Sequence, residues 1–295
     1  MGANIEITIR QTLPITVQPA RLGSLTYTIP VASAQVKSAL LLAGLASKGV
    51  VRLIEPVPTR NHTELMLQDL GVDLKVDGQV IELGPGEQKI AAFNMDIPGD
   101  PSSAAFPAAM ASLLPECKIS FKNLLLNPTR MGFFHVLKRM GAKVSWKTAK
   151  TVLGEEVGTL TVESSELRGI LISGDEVPTL IDEIPVLAIL ASRAKGETVV
   201  RDAGELRLKE CDRIKAICEN LRRMGTRIQE LADGFRILGP VKLRGATIST
   251  YSDHRIAMAF AIAGRLTTEK TNLDDPDCVN ISFPGYHELI AKIAG

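Results

Sequence analysis

Hydrophobic and polar positions recur along this chain in one pattern. In Leu137-Lys138-Arg139-Met140-Gly141-Ala142-Lys143-Val144 and Leu221-Arg222-Arg223-Met224-Gly225-Thr226-Arg227-Ile228, an amphipathic helical stretch ends at a glycine and passes at once into strand residues. Leu67-Gln68-Asp69-Leu70-Gly71-Val72-Asp73-Leu74 reads the same way. Glycine suits this place because the left-handed conformation after a helix costs it little. Gly2, Gly71, Gly141, Gly225 and Gly295 mark it at intervals of 69, 70, 84 and 70 residues. A second signature lies between the marks, where a helix rich in Ala and Leu runs into a short strand: Leu45-Ala46-Ser47-Lys48-Gly49-Val50-Val51-Arg52, and again Leu190 to Lys195 leading to Thr198-Val199-Val200-Arg201. Weaker copies end at Ile119 and near Asn272. Each repeat is predicted to run strand, helix, strand, helix with a capping glycine, strand, strand.

The expected class is α/β (α+β), built from repeated βαβαββ units in two domains. Pro98-Gly99-Asp100-Pro101 breaks the pattern. It separates 1–97, with one repeat and the tail of another, from 98–295, with three repeats lacking the last strand pair. The phase predicts a chain that starts at the capping end of a helix. The expectation is a fold incomplete at its N-terminus, its first part removed, lost to an internal start codon or supplied by another chain.

Composition narrows the class. The chain has 295 residues, few aromatics and a formal net charge of +1. No global field favours nucleic acid or an anionic membrane, and any attraction for anions depends on locally placed Arg and Lys. Cys117, Cys211, Cys218 and Cys278 form no CxxC and have no zinc spacing. They read as reduced, buried thiols, with Cys211 and Cys218 on one helix face. The apolar run Ala39 to Ala46 is too short to span a bilayer. The first residues lack the charge and apolar core of a signal peptide, and Glu6 stands where myristoylation needs Ser or Thr. A cytoplasmic protein is expected.

Candidate chemistry gathers at helix starts. Lys209-Glu210-Cys211-Asp212-Arg213 opens the helix that ends at Gly225, placing Lys209 and Arg213 on one face near its first turn. Two cations there work against the helix dipole by roughly 0.3–1 kcal/mol each. That placement suits a dianion held by the free N–H groups; it equally suits a solvated helix start with an ion pair between Glu210 and Arg213. In Ser252-Asp253-His254-Arg255-Ile256-Ala257-Met258, Ser252 or Asp253 caps a helix and Arg255 lies in its first turn. Asp182-Glu183 takes the equivalent place in its own repeat, where carboxylates are ordinary. Ser33 is a candidate cap, with Ala34 and Gln35 following it, and Arg60 precedes the next helix.

Together these residues resemble the EPSP synthase family (3-phosphoshikimate 1-carboxyvinyltransferases). Arg207, Lys209, Glu210, Asp212 and Arg213 match its R-x-K-E-x-D-R motif, and Asp253 to Met258 matches its DHRIAM segment. Thr28 to Ser38 resembles the shikimate-phosphate helix of the bacterial class II, glyphosate-tolerant branch. The resemblance implies two domains of three repeats each, with helix starts facing a cleft. It implies that Ser33, Ala34, Gln35, Arg60, Asp182 and Lys209 bind shikimate 3-phosphate, and that Lys209, Arg213 and Arg255 bind phosphoenolpyruvate. Asp182 would serve as base and Glu210 as acid, with Lys209 beside them. No metal or organic cofactor is implied, nor any nucleic-acid or membrane partner; the full-length form is expected to be a monomer.

The family's N-terminal Lys-Ser pair with its following Arg, its Gly-rich loop and a further Arg have no counterpart here. Each lost charge-assisted contact removes roughly 1.5–3 kcal/mol, so this chain alone is expected to be nearly inactive. A UDP-N-acetylglucosamine enolpyruvyl transferase would use a reactive loop Cys, for which the sequence offers no candidate. RNA 3′-phosphate cyclases share related units, but no basic groove or catalytic His motif supports that reading. A non-catalytic protein that binds shikimate 3-phosphate is the alternative from another class.

Overall fold

The computed structural model describes residues 1–7, 13–86 and 88–294. By contact the chain forms two bodies: Met1–Asp96 with Thr151–Glu155, and Ile97–Lys150 with the remainder from Glu156.

The first body opens with an antiparallel hairpin, β1 (Asn4–Ile7) and β2 (Ile15–Gln18). One full repeat follows: β3 (Leu25–Thr28), α1 (Ala34–Gly44), β4 (Val51–Ile54), α2 (His62–Asp69), β5 (Leu74–Asp77) and β6 (Val80–Leu83). Its sheet order is β3-β4-β6-β5, with β3 parallel to β4 and the other pairs antiparallel. Its core is small, centred on Leu41, Leu53, Leu67 and Leu83. His62 Nδ1 meets Glu155 Oε1 at 2.7 Å, so the tip of the distant 151–155 hairpin belongs to this body.

The second body contains α3 (Pro101–Leu113), β7 (Lys118–Leu125), α4 (Gly132–Arg139), β8 (Lys143–Val152) and β9 (Glu155–Glu163). It continues with β10 (Leu171–Ile172), α5 (Ile184–Arg193), β11 (Gly196–Val200), α6 (Arg213–Arg223), β12 (Ile228–Leu231) and β13 (Gly234–Gly239). The last elements are β14 (Thr247–Ile248), α7 (His254–Arg265), β15 (Asn272–Leu273) and α8 (Tyr286–Ala294). The order β10-β11-β13-β12 reproduces that of the first body, strand sense included. In β7-β9-β8 the leading strand shrinks to a single parallel bridge from Gly99 to Leu124. In the last repeat β14 and β15 pair in parallel. The βαβαββ pattern read from the sequence is therefore the pattern of the fold.

The first helices of these repeats, α3, α5 and α7, are apolar nearly all round and pack against one another. The second helices, α4 and α6, bury one face and end in basic residues that suit the negative end of the dipole. Gly71, Gly141 and Gly225 have φ of +80°, +100° and +88°. Each donates to the carbonyl three residues back, and its successor donates five back, as in Val72 N–H to Leu67 O. These are Schellman turns. Gly2 has φ +84°; Gly295 lies outside the described residues.

Two local readings are corrected. The helix predicted from Lys209 starts at Arg213, because Asp212 caps it by accepting from Lys215 N–H at 3.0 Å. Lys209 and Cys211 therefore precede the helix, and neither the Lys209–Arg213 pair nor the Cys211–Cys218 pair shares a helical face. Cys211 and Cys117 are also only partly buried.

Candidate active site

The first body presents Ser33, Ala34, Gln35 and Arg60 around the start of α1 and the approach to α2. Ser33 caps α1, accepting from Val36 N–H at 3.3 Å, and Ala34 is its first residue. Gln35 is exposed, and Arg60 is partly buried. Sequence reasoning missed what holds this place together. Lys37, one turn into α1, is 1% exposed. Its Nζ lies 3.0 Å from Glu55 Oε2 and 2.7 Å from Glu64 Oε1. Thr59 donates to the other Glu55 oxygen, and Ser38 and Thr63 hydroxyls meet at 2.7 Å. The segment carrying Arg60 is thereby fixed to the start of α1. The only signal in the sequence was a single lysine inside an Ala- and Leu-rich helix.

The second body brings Asp182, Lys209, Glu210, Arg213 and Arg255 together. A 3-10 turn, Ile181–Glu183, leads into α5, with Pro185 near the helix start. Asp182 Oδ1 lies 3.3 Å from Arg213 Nη1 and 3.8 Å from Lys209 Nζ. Arg255 Nη1 reaches the Asp182 carbonyl at 3.4 Å and Glu183 Oε1 at 3.3 Å. Helix starts at equivalent places in successive repeats thus meet.

Arg213 is buried and fully engaged. Its Nε donates to Asp253 Oδ2 at 2.7 Å, and its Nη2 to Glu210 Oε2 at 2.6 Å. Asp253 also caps α7, accepting from the N–H groups of Arg255 and Ile256 at 2.8 and 3.3 Å. The capping expected of Asp253 is present, and a clamp on Arg213 comes with it. Of the two readings of the 209–213 segment, the Glu210–Arg213 ion pair is formed, though Arg213 is buried and not solvated. Glu205 takes Lys209 Nζ at 2.5 Å. Glu205 and Glu210 are exposed or half-exposed, whereas Asp253 and Glu183 are buried.

Arg207 serves as framework. It pairs with Asp212 at 2.7 Å and Glu230 at 3.1 Å and donates to the carbonyls of Leu231, the last residue of β12, and Ala232, in the turn that follows. Burial, reinforced by Arg255, pushes the His254 imidazole down and favours its neutral form. Burial and the Asp253 carboxylate push the Cys211 thiol up to about 12. Among the described residues, no group of His, Cys, Asp and Glu has the arrangement of a metal site, and no helix is long and apolar enough to cross a membrane.

The family model described as EPSP synthase (3-phosphoshikimate 1-carboxyvinyltransferase) matches residues 1–290. The 3-phosphoshikimate 1-carboxyvinyltransferase of Alkaliphilus oremlandii is 44% identical over 295 residues, which span 100% of this chain and 69% of that protein. That of Thermodesulfovibrio yellowstonii is 46% identical over 295 residues, 99% of this chain and 69% of its own length. The solved structure of EPSP synthase from Acinetobacter baumannii superposes with a TM-score of 0.92 at 38% identity, over 100% of this chain and 68% of that one. The enolpyruvyl transferase NikO from Streptomyces tendae shares the fold, with a TM-score of 0.74 at 18% identity.

Proposed function

The chain belongs to the EPSP synthase family, and from that membership we propose that it transfers the enolpyruvyl group of phosphoenolpyruvate to the 5-hydroxyl of shikimate 3-phosphate. The observation that carries this reading is the convergence of Lys209, Arg213 and Arg255 on the single turn bearing Asp182. Ser33, Ala34, Gln35 and Arg60 hold shikimate 3-phosphate, with Asp182 on its 5-hydroxyl and Lys209 serving both substrates. Arg213 and Arg255 hold the phosphate of phosphoenolpyruvate.

In the addition step the 5-hydroxyl oxygen bonds to C2, its proton passes to Asp182, and C3 takes a proton from Glu210. In the elimination step C3 returns a proton, the C2–O bond to phosphate breaks, and phosphate leaves. Two carboxylates in different surroundings suit opposite proton roles. The Asp182 carboxylate is only 16% exposed and lies between Lys209 and Arg213, whereas Glu210 is half-exposed. Cations already fixed by buried carboxylates need not reorganise as charge develops on the leaving phosphate. We further propose that the protein works in the cytoplasm and that its full-length form is a monomer.

The test is phosphate release from the two substrates by the protein as its gene encodes it, beside calorimetry with shikimate 3-phosphate. Lys209→Ala or Arg255→Ala should lower kcat/KM roughly ten- to a hundredfold, the loss of one charge-assisted contact. Gln35→Ala should weaken shikimate 3-phosphate binding. Unchanged turnover in both cation variants would remove the proposed pocket. Binding with no phosphate release would leave a non-catalytic binding protein.

A further inference from the structure

Glu183 has no part in the roles assigned above, yet it is among the most deeply buried acids in the chain, at 3% exposure. It adjoins Asp182 and faces Arg255 Nη1 at 3.3 Å. Ser102, also buried, lies near enough to the Glu183 carboxylate to favour its charged form, as Arg255 does, against the burial that pushes this acid up. Arg130 Nη2 donates to that same Ser102 oxygen at 2.8 Å, and Arg130 is itself paired with Asp100, the cap of α3.

A guanidinium only donates, so Ser102 accepts from Arg130 and keeps its one hydrogen for a nearby acceptor. Glu183 accepts from an Arg255 N–H through Oε1, a charge-assisted contact that an amide in its place would weaken.

We infer that Glu183 is a positioning residue that turns one edge of the Arg255 guanidinium toward the protein and leaves the other edge for the anionic substrate. Glu183 and the Asp182 carbonyl both take Nη1, while Nε and Nη2 of Arg255 have no protein partner among the described residues. A buried ion pair is a weak source of stability compared with apolar packing of the same volume. What this one supplies is a fixed orientation for Arg255. The inference rests on the proposed function for the identity of the anion, and on geometry alone for the orientation of Arg255.

The test therefore has two arms. In substrate-free protein labelled with 15N-arginine, the Nη1 and Nη2 signals of Arg255, assigned by their loss in Arg255→Lys, should be separate, reporting hindered rotation. They should merge in Glu183→Gln and partly in Ser102→Ala, which serves alone if the first variant does not fold. Signals unchanged in both variants overturn the inference, whatever the protein's activity. In the kinetic arm Glu183→Gln should raise KM for phosphoenolpyruvate about tenfold and move KM for shikimate 3-phosphate far less. Adding Glu183→Gln to Arg255→Ala should cost nothing further, because the two act as one. Equal losses on both substrates, or full additivity, would reduce Glu183 to a packing role. Absent turnover in the protein as its gene encodes it would count against the proposed function, and the NMR arm would still decide the role of Glu183.

Discussion

Arg213 commits every guanidinium nitrogen to a carboxylate, and two of its partners differ sharply in accessibility. Asp253 is wholly buried and Glu210 half-exposed. Removing charge from the buried partner strands a cation away from water, whereas removing the exposed one does not. Asp253→Asn should therefore cost about 3 kcal/mol or more in urea denaturation, and Glu210→Gln well under 1 kcal/mol. Comparable losses for both would show that Arg213 does not depend on its buried clamp. Cys211 stands beside this clamp, its Sγ 3.6 Å from Asp253 Oδ2. With its thiol pushed up to about 12, it should resist iodoacetamide at pH 8 despite being partly exposed. Rapid alkylation would contradict the protonated state. The cations of this site were legible in the sequence because Lys and Arg at helix starts oppose the dipole and call for a reason. Glu183 was not, since a carboxylate at a helix start needs none, and its partner Arg255 is remote in sequence. Lys37 was hidden in the same way, its two carboxylates lying beyond α1.

At the level of elements, the Schellman turns make the repeat physical. An L-residue in the left-handed region costs roughly 1–2 kcal/mol. Around Gly71 an added Cβ meets nothing within 4 Å, while at Gly141 it meets the Glu166 carbonyl at 3.2 Å. Gly71→Ala should thus lose about 1 kcal/mol, and Gly141→Ala measurably more, by denaturant midpoint at constant slope. The reverse order would mean that backbone conformation is not what these glycines supply. Helix ends were readable because glycine is unambiguous there. The start of α6 was misread by four residues because Asp212, a strong cap, sits inside a charged run that also looks helical. The 3-10 turn before it, Gly204–Leu208, follows from the anchoring of Arg207 to the end of β12 and the turn that follows, a tertiary contact with no local signature.

For the molecule as a whole, the two bodies have unequal cores. The first relies on a handful of buried Leu, Val and Ile residues, and the second on a large cluster that includes α3, α5 and α7. Smaller cores bury a smaller fraction of their surface and are less stable. The single tryptophan, Trp146, lies in the second body. In urea the far-UV circular dichroism signal should therefore begin to fall before Trp146 fluorescence changes, where one cooperative transition would superimpose the two. The tandem organisation behind this division was visible in the spacing of the glycines, but the assignment of residues 151–155 was not, because it depends on His62 meeting Glu155.

That assignment has a consequence for taking the protein apart. The chain passes from one body to the other at three places, so cutting the peptide link at Asp96–Ile97 does not by itself free either piece. The outer end of the β8–β9 ribbon remains gripped by the part it was severed from, like a finger left in a closed hand.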